Sequence, residues 1–451
     1  SGNTNMPSSG TIIAQYADAP VGSEIRRLVD DNADTKYVTY HSSFNITWNG
    51  NSSKAVTAYS LTSAADTPEM DPKDWTLYGS NDNTTWTELD AQTNQLFAAR
   101  KEEKSYEVDN ATSYRYYRLS VEANNGGAAT QIAEWKLVAM RSYTENINDL
   151  IASKGSSTFS AITPMGRQHE NDREATAADL KWLADPAEEP EPFGDGGTKM
   201  AWNTFNVVSI YPNGNPVMSD VNQRWVGDCC ACAVIASMAY LYPRFVKHII
   251  KDNMDKTYTV TMYDPKGKQI SVGVGGDYFI GNSGDLGALG GRNKEVTWAT
   301  ILEKAMIKWN QIYQGSSNVG GIGTEYVSAI FTGDGESVGF GANALIAEDL
   351  QRAVEVSLKQ GRLVIGGFTR SGEQVDQNWQ TTSGHAFTFI LPDDNTHLFK
   401  MRNPWGGTTD GVMKVKDDGR IPPMIDLRIC APGAAKNYGV GPDLGGYIPN
   451  F

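Results

Sequence analysis

The sequence predicts an all-β sandwich in the first third of the chain and an α+β domain in the second half. A chain of 451 residues is longer than one hydrophobic core usually organises, so more than one domain is expected. Residues 11–140 are short alternating segments rich in Thr, Tyr, Trp and Val, broken by Asn, Gly and Asp, as in β-sandwiches. From residue 200 onward, helical and strand patterns mix without the regular alternation of a parallel sheet, which favours the α+β class.

Composition and charge argue against two classes of protein. The net charge is −14 and there is no basic cluster, so DNA and RNA are not expected partners. The longest apolar runs are shorter than a spanning helix requires, which predicts that this is not an integral membrane protein. Three of the four cysteines stand together at positions 229, 230 and 232, a spacing that points to chemistry or packing rather than to a disulfide framework.

Three stretches of the first segment carry a family resemblance. They are LVDDNADTKYVTY, DWTLYGSNDNTTW and YRYYRLSVEANNGGAATQIAEWKL. Together they resemble the discoidin, or coagulation-factor type C, family, which includes many carbohydrate-binding modules. The resemblance implies a galactose-binding-like jelly-roll sandwich over residues 1–143. It also implies a glycan or a cell surface as a partner of this domain.

The same resemblance implies a structural calcium ion in the first domain. In the family, the first loop and an acidic residue near the last strand usually hold the ion. Carried over to this sequence, the implied ligands are Asp30, Asn32, Thr35 and Glu134. Such oxygen ligands suit calcium, a hard cation. The alternative is that Asp30 and Thr35 only cap turns.

Residues 144–200 are predicted to connect the two domains. The stretch SYTENINDLIASKG predicts one short helix that ends at Gly155. Residues 167–196 are rich in carboxylates and contain EEPEPFGDGG, which does not favour regular structure. We interpret this part as an acidic, solvated connector. A strap or pro-segment near the cleft of the next domain is the alternative.

The strongest chemical signal is Cys229 at the start of an apolar helical stretch that reaches Leu241. Gly227 and Asp228 predict the helix entry, with Asp228 as N-cap. A thiol in the first turn lies against free amide hydrogens and the positive end of the helix dipole, which lowers its pKa. Cys229 is therefore the predicted nucleophile.

Among five histidines, His385 is the predicted base, because Gly384 and Ala386 leave room around it. The segments HAFTFILP and HLFKMR flank turn residues 393–395 and predict an antiparallel hairpin centred near residue 394. That centre places His385 opposite Asn403, at a spacing of about 4.5–5.5 Å between Cβ atoms. The asparagine oxygen could then accept the imidazole N–H and orient the ring.

Three motifs in the second half resemble those of the calpains, a family within the papain-like cysteine peptidases. The motifs are QRWVGDC, SGHAFTF and FKMRNPWGG, in the papain-like order Cys, His, Asn. The resemblance implies a papain-like peptidase domain over residues 201–451 with a protein or peptide substrate and no cofactor for catalysis. It also implies that Gln223 donates to the oxyanion and that Trp405 shields the His–Asn hydrogen bond. Cys230 stands where calpains usually carry tryptophan.

The sequence therefore predicts a cysteine endopeptidase that works through a thioester and is targeted by the β-sandwich. This domain pairing favours an exported bacterial protein that is secreted or attached to a cell surface. Other interpretations remain open: a redox or zinc role of Cys229 and Cys232, a transglutaminase-like acyl transfer, and a catalytically inactive adhesin. Within the peptidase interpretation, Glu303 and Lys304 are structural. The remaining cysteines, Cys230, Cys232 and Cys430, are expected to be buried small hydrophobes.

Overall fold

The computed structural model describes residues 10–139, 147–157, 172–193, 201–281, 283–341, 344–391, 397–416 and 425–438. The chain divides into two compact units. The first is formed by Ser1–Arg141 with Lys436–Phe451, and the second by Ser142–Ala435.

The first unit is an all-β sandwich, as the sequence predicts. Its strands are β1 (Gly10–Ala14), β2 (Tyr37–Thr39), β3 (Phe44–Lys54), β4 (Val56–Thr62), β5 (Pro72–Ser80), β6 (Thr87–Gln92), β7 (Glu103–Glu107), β8 (Tyr114–Asn124), β9 (Thr130–Ile132) and β10 (Glu134–Ala139). Short 3₁₀ helices occur at Ile25–Val29 and Pro68–Met70.

Two antiparallel sheets enclose the core of this unit. One has the strand order β1-β3-β8-β5-β6 and the other β10-β4-β7, while β2 pairs with β9. Side chains of β8 alternate between more and less buried positions, as expected for a strand with one face on a core. The core is aromatic and branched aliphatic, and includes Trp75, Trp135, Tyr59, Leu77 and Leu119.

The second unit contains the helices that the structure describes. They are α1 (Asn148–Lys154), α2 (Ala177–Ala184), α3 (Cys229–Leu241), α4 (Pro243–Ile249), α5 (Trp298–Tyr313), α6 (Thr324–Thr332) and α7 (Ala347–Lys359). Further 3₁₀ helices lie at Met218–Asp220, Thr408–Gly411 and Gly433–Tyr438. Helix α3 begins at Cys229, as predicted. Helix α1 ends at Lys154 with Gly155 as its C-cap residue, in agreement with the predicted end at Gly155.

The strands of the second unit form three antiparallel sheets. They are β11 (Ser156–Ser157), β12 (Ala201–Thr204), β13 (Ile250–Asp252), β14 (Tyr258–Tyr263), β15 (Gln269–Val274), β16 (Asp277–Ile280), β17 (Ser337–Phe340), β18 (Leu363–Phe368), β19 (Phe387–Ile390), β20 (His397–Arg402), β21 (Val412–Lys416) and β22 (Ile425–Cys430). The largest sheet has the order β11-β17-β22-β18-β19-β20-β21, and β13-β14-β15 and β12-β16 form the others.

Helix α3 is the central element of the second unit. Every residue from Ala231 to Leu241 is buried, because α3 packs against β18 and β19 as well as against α5 and α6. The hydroxyl of Thr388 on β19 donates to the carbonyl of Ala233, at 2.8 Å, and ties the sheet to the helix. This bond holds α3 against the interior strands of the large sheet.

Residues 172–193, the described part of the predicted connector, form a strap that packs on other parts of the second unit, although most of its side chains are exposed as predicted. The ammonium of Lys304, only 3% exposed, lies 2.7 Å from Glu189 of the strap. Lys308 donates to the carbonyl oxygens of Asp185 in the strap and Gly273 on β15, at 3.0 and 2.7 Å. Helix α5 is therefore buried on its polar side too.

The described helices differ from membrane-spanning helices in length and composition. None of them alone is long and apolar enough to cross a membrane. The pair α3 and α4, bent by 114°, passes that test by length and composition only.

Candidate active site

Cys229 begins α3 and is half-buried. The groups that act on the charge of its sulfur are the thiol of Cys230, the imidazole of His385 and the backbone N–H of Ala386. These contacts, led by that of Cys230, outweigh the opposing effect of burial and lower the pKa of Cys229 to about 4. The sulfur is therefore a thiolate near neutral pH.

The imidazole of His385 is held between Asn403 and Trp405. Its Nε2 lies 2.7 Å from Oδ1 of Asn403, which also accepts the backbone N–H of Trp405 at 3.0 Å. The Trp405 indole stacks on the imidazole, with 4.2 Å between ring centroids and 30° between planes. Because Asn403 engages Nε2, the other nitrogen, Nδ1, is left for the sulfur of Cys229.

The predicted hairpin exists, but its register differs from the prediction. Strand β19 pairs with β20 through Thr388 opposite Arg402 and Phe389 opposite Met401, which centres the ladder one residue later than expected. The turn residues 393–395 lie outside the described residues. His385 precedes β19 and Asn403 follows β20, so the two residues are not a directly opposed pair of the ladder. They meet through the segments that lie beyond the end of the ladder.

Gln223 lies in the segment before α3, close to the loop that carries Asn403. Its backbone N–H donates to the carbonyl oxygen of Pro404 at 2.8 Å. Its side-chain amide donates to the carbonyl of Val226 at 2.9 Å, and its Oε1 is buried with no hydrogen-bonding partner. One amide hydrogen of Gln223 thus remains for a further acceptor.

The other cysteines differ from one another. Cys232 and Cys430 are buried, as expected, but Cys230 is half-buried, so the expectation of a small buried hydrophobe is wrong for that residue. The reason is its place in the exposed first turn of α3, beside Cys229. All four cysteines are free thiols, and Cys232 donates to Oδ1 of Asp228 at 3.3 Å.

The implied calcium ligands of the first unit converge on one loop. The Thr35 hydroxyl donates to Oδ2 of Asp30 at 2.5 Å, and the backbone N–H groups of Asp31 and Asn32 donate to the Glu134 carboxyl at 3.2 and 2.9 Å. Asn32 contributes its main chain, because its side-chain oxygen accepts the N–H of Asp34.

The surroundings of the Glu134 carboxyl change its pKa strongly. It is only 2% exposed, and burial followed by its contact with the Asp30 carboxyl raises its pKa to about 9. Two carboxyl groups in such contact require a proton or a cation. The oxygen donors of Asp30, Thr35 and Glu134 fit a hard cation such as calcium.

An exposed aromatic cluster lies elsewhere on the first unit. The rings of Tyr16 and His41 stack with 3.6 Å between centroids, and Nε2 of His41 lies 3.5 Å from the Asp18 carboxylate. The neighbouring Tyr40 is 60% exposed. Aromatic faces beside a carboxylate offer both stacking and hydrogen bonding to a ligand.

The part of the second unit that contains the site is similar to a known protein family. Residues 202–411 match the model of the calpain family of cysteine proteases. This segment is a calpain-family cysteine protease domain. Gln223, Cys229, His385 and Asn403 all lie inside it.

A curated relative matches a short stretch of this chain. The peptide-N(4)-(N-acetyl-beta-glucosaminyl)asparagine amidase of Arabidopsis thaliana is 46% identical over 80 residues. These residues are 17% of this chain and only 11% of that protein.

Solved carbohydrate-binding modules resemble the first unit. The family 32 module of Streptococcus pneumoniae EndoD is 17% identical and covers 30% of this chain and 98% of its own, with a TM-score of 0.26. The family 32 module of Clostridium perfringens NanJ, in complex with galactose, is 14% identical and covers 30% and 97%, with a TM-score of 0.26. The sandwich architecture of the first unit follows from its own strand order.

Two buried acidic residues of the calpain-family domain, Asp228 and Glu303, lie close to one another. This contact was not predicted from the sequence. Asp228 occupies the predicted N-cap position of α3, but its side chain makes no capping hydrogen bond. The carboxyl instead faces Cys232 and Glu303, whose ligand atoms all lie within 4.8 Å of one another. Glu303 falls on an otherwise ordinary helix, so no local pattern could have paired it with Asp228.

Arg402 and Asn222 were also missed. Arg402 precedes Asn403, is fully buried, and lies 3.5 Å from side-chain oxygens of both Asn222 and Asp410. Asn222 precedes Gln223 and exchanges two backbone hydrogen bonds with Gly290. These contacts join the segment before the nucleophile to the segment that carries Asn403. The signal available in the sequence was that Asn222 stands directly before Gln223 and Arg402 directly before Asn403.

Proposed function

We propose that the calpain-family domain is a cysteine endopeptidase with Cys229 as nucleophile, His385 as base, Asn403 as orienting residue and Gln223 as oxyanion donor. The observation that carries the proposal is the continuous chain of contacts from the Cys229 sulfur through the imidazole to Oδ1 of Asn403, 2.7 Å from Nε2. Such a chain supports a thiolate paired with an imidazolium.

The first half of the reaction acylates the enzyme. The thiolate forms a bond to the carbonyl carbon of the substrate, and the carbonyl π electrons move to the oxygen. The backbone N–H of Cys229 and the Gln223 amide donate to that oxyanion. When the carbon–nitrogen bond breaks, Nδ1 of His385 gives its proton to the leaving amine, and a thioester remains on Cys229.

The second half releases the acid product. Neutral His385 takes a proton from water through Nδ1 while the water oxygen attacks the thioester carbonyl carbon. The tetrahedral intermediate expels the thiolate, which restores the starting ion pair. Throughout, Asn403 accepts the Nε2 hydrogen and keeps the ring oriented, and Trp405 covers one ring face. Thiolate, imidazole and water are the groups that these steps use.

Cleavage of a peptide library, analysed by mass spectrometry, tests the proposal. The wild-type chain is expected to produce new amino and carboxyl termini, and Cys229→Ala is expected to produce none. Cys430→Ala is the matched control, since Cys430 is a buried thiol on β22. Equal cleavage by wild type and Cys229→Ala would refute the proposed nucleophile.

A second candidate is hydrolysis of a side-chain amide, favoured by the relative that is named an asparagine amidase. The chemistry at the sulfur would be the same, and only the bond that breaks would differ. Adding a glycosylated asparagine peptide to the library separates the two. Conversion of that asparagine to aspartate, with the backbone intact, would indicate the amidase.

The third candidate is an inactive adhesin with a preserved peptidase fold. An irreversible thiol-peptidase inhibitor should label Cys229 alone, as mapped by peptide mass spectrometry. No labelling at Cys229, together with intact glycan binding, would favour the adhesin. A reversible disulfide between Cys229 and Cys232 would instead favour a redox function.

For the first unit we propose glycan binding at the cluster formed by Tyr16, Asp18, Tyr40 and His41. The proposal is supported by the exposed Tyr40 ring and by the carboxylate of Asp18 beside a stacked ring pair. A glycan array with wild type and Tyr40→Ala tests it. Leu96→Ala is the control, because Leu96 is a similarly exposed side chain in another segment of the unit. Unchanged binding by Tyr40→Ala would refute this location.

A structural calcium ion in the first unit is a further part of the proposal. Asp30, Thr35 and Glu134 would hold it, and the ion would tie the 30–35 loop to the start of β10. The proposal is supported by the convergence of these oxygen atoms on one another.

We also propose an exported bacterial protein that acts at a cell surface, since both domain types together suit an extracellular substrate.

A further inference from the structure

A carboxyl pair is buried directly behind the nucleophile. The side chains of Asp228 and Glu303 are each 1% exposed, although they belong to distant parts of the sequence. Their oxygens and the sulfur of Cys232 lie within 4.8 Å of one another. Two carboxylates this close in a dry site repel strongly, so the pair is stable with one shared proton.

The hydrogen bonds around the pair leave one oxygen of each carboxyl for the other. Oδ1 of Asp228 accepts the thiol of Cys232 at 3.3 Å, and Oε1 of Glu303 accepts the backbone N–H of Leu289 at 2.9 Å. The remaining oxygens, Oδ2 of Asp228 and Oε2 of Glu303, are buried and accept no N–H, and the two carboxyl groups interact with one another. A proton between them satisfies both.

Neighbouring charges do not replace that proton. The titratable groups that face the pair are Cys229 and Cys232 on α3. Arg402, at the end of β20, interacts with Cys232. Burial is the main cause that raises the pKa of Asp228 to about 6 and that of Glu303 well above its usual value. The singly protonated pair is therefore expected near neutral pH.

The pair changes what the N-cap residue does. An aspartate at this position normally accepts an N–H of the first helical turn. Asp228 makes no such bond, because its carboxyl points to Glu303 and Cys232. If it capped α3, a negative charge would lie beside the Cys229 sulfur and would occupy N–H groups of the first turn. Both effects would disfavour the thiolate and the oxyanion.

We propose that Glu303 is a positioning residue for Cys229: by sharing a proton with Asp228, it keeps the N-cap carboxyl away from the first turn of α3. The free N–H groups and the positive end of the helix dipole then serve the thiolate. The inference rests on the proposed function only in taking Cys229 as the reactive thiol.

Alkylation of Cys229 by iodoacetamide in the full-length chain measures this role without any substrate. Glu303→Met removes the shared proton at similar side-chain length, and Glu303→Gln retains a donor to Asp228. Glu189→Gln is the matched control, since Glu189 also contacts α5, at Lys304 on the strap side. Adducts are mapped to Cys229 by mass spectrometry, and far-ultraviolet circular dichroism checks folding.

For Glu303→Met, the alkylation rate at about pH 4 is expected to fall at least about fivefold, because a rise of one unit in a thiol pKa of about 4 lowers the thiolate fraction at that pH from roughly a half to roughly a tenth. Glu303→Gln should stay within about threefold of wild type, since its amide can still bind Asp228. Adding Asp228→Asn to Glu303→Met should restore the rate, because the residue released toward the helix is then uncharged. Glu189→Gln should match wild type.

Three results would overturn the inference. They are a wild-type alkylation profile in Glu303→Met, an equal loss in Glu303→Gln, and no recovery with Asp228→Asn, which would mean a structural role only. The Gln variant decides alone if the Met variant does not fold. A wild-type chain that cleaves no peptide but shows these alkylation profiles would refute the peptidase and keep the role of Glu303. A chain that cleaves peptides but has the same alkylation profile in wild type and Glu303→Met would refute the role of Glu303 and keep the peptidase.

Discussion

Oδ1 of Asn403 lies 2.7 Å from Nε2 of His385, although neither residue belongs to the paired strands β19 and β20. The backbone of Asn403 is fixed instead by its N–H bond to the carbonyl of Gly411, at 2.8 Å. The following Pro404 is bonded through its carbonyl to the N–H of Gln223. The base and the segment before the nucleophile are thus held by one set of backbone hydrogen bonds.

Replacing Asn403 by alanine should therefore disable the base and leave the fold in place. With Nε2 unbound, the imidazole can rotate or change tautomer, and we expect kcat for peptide cleavage to fall by about 10²–10⁴-fold. KM should change little. Asn310→Ala is the control, because Asn310 is a buried asparagine that binds Ser316 and Asn318 away from the site. Retention of full kcat by Asn403→Ala would contradict the orienting role.

The Cys230 thiol gives a prediction that is specific to this chain. Its hydrogen bond is the largest of the causes that lower the pKa of Cys229 to about 4, so Cys230→Ala should raise that pKa. Because the thiolate is lost as pH falls through the folded-state pKa, the alkylation rate of Cys229 should decline at a higher pH in the variant than in wild type.

Measuring the iodoacetamide rate of Cys229 between about pH 3.5 and 8 tests the effect of Cys230, since an ordinary thiol loses ~tenfold per pH unit below about 8.5. Cys430→Ala should leave the profile unchanged, because that thiol is buried on β22. Superimposable profiles for wild type and Cys230→Ala would show that His385 and the helix alone stabilise the thiolate.

The sequence was sufficient to predict the sandwich and the mixed class of the second unit. Cys229, His385 and Asn403, which it named, lie near one another, and their roles stay a prediction. Patterns along the chain explain this success, since α3 follows from a run of apolar residues and the sandwich strands follow from alternating segments. The facing of His385 and Asn403 was predicted through the wrong register. The ladder is centred one residue later, and the contact is made by segments beyond it.

Long-range burial could not be predicted from local pattern. Asp228 has the sequence of an N-cap residue, but tertiary contact with Glu303 and Cys232 draws its carboxyl away from the helix. Lys304 and Lys308 give α5 a polar face, but the strap covers that face, and carbonyl oxygens and Glu189 receive the ammonium groups. Both departures depend on residues that are far apart in the chain.

Gln223→Ala tests the oxyanion donor. Loss of one such donor should lower kcat by about 10²–10³-fold with little change in KM, because the bond forms fully only when charge develops on the carbonyl oxygen. Gln311→Ala is the control, since the Gln311 side chain accepts only the N–H of Glu191 in the strap among the bonds described. A change confined to KM would place Gln223 in substrate binding instead.

Glu134 predicts how the first unit responds to pH and calcium. Its folded-state pKa of about 9 lies above its usual 4.5, so the protonated form stabilises the fold. Without a cation, that stability is present below about pH 4.5 and is lost as pH rises toward about 9. Calcium at about pH 7.5 should reverse the loss, because the ion takes the place of the proton.

Scanning calorimetry of the full-length chain at several pH values, with calcium or with a chelator, measures this response of the first unit. The transition that falls with rising pH in the chelated protein should be insensitive to pH in Glu134→Gln and should respond less to calcium. Glu88→Gln is the control, because Glu88 is exposed on β6. An equal calcium response in Glu134→Gln would place the ion elsewhere.

The strap supports the calpain-family domain through Glu189. Lys304 is almost fully buried, with Glu189 at 2.7 Å and the carbonyl of Asp277 as its other acceptor. Removing the carboxylate leaves a buried ammonium with part of its partners, so Glu189→Ala should lower the free energy of unfolding by about 1–3 kcal/mol. Urea unfolding of wild type and variant measures the change. The adjacent Glu188→Ala removes an exposed carboxylate of the same strap and should change stability by less than about 0.5 kcal/mol. Equal effects at the two positions would mean that the Lys304 contact does not fasten the strap.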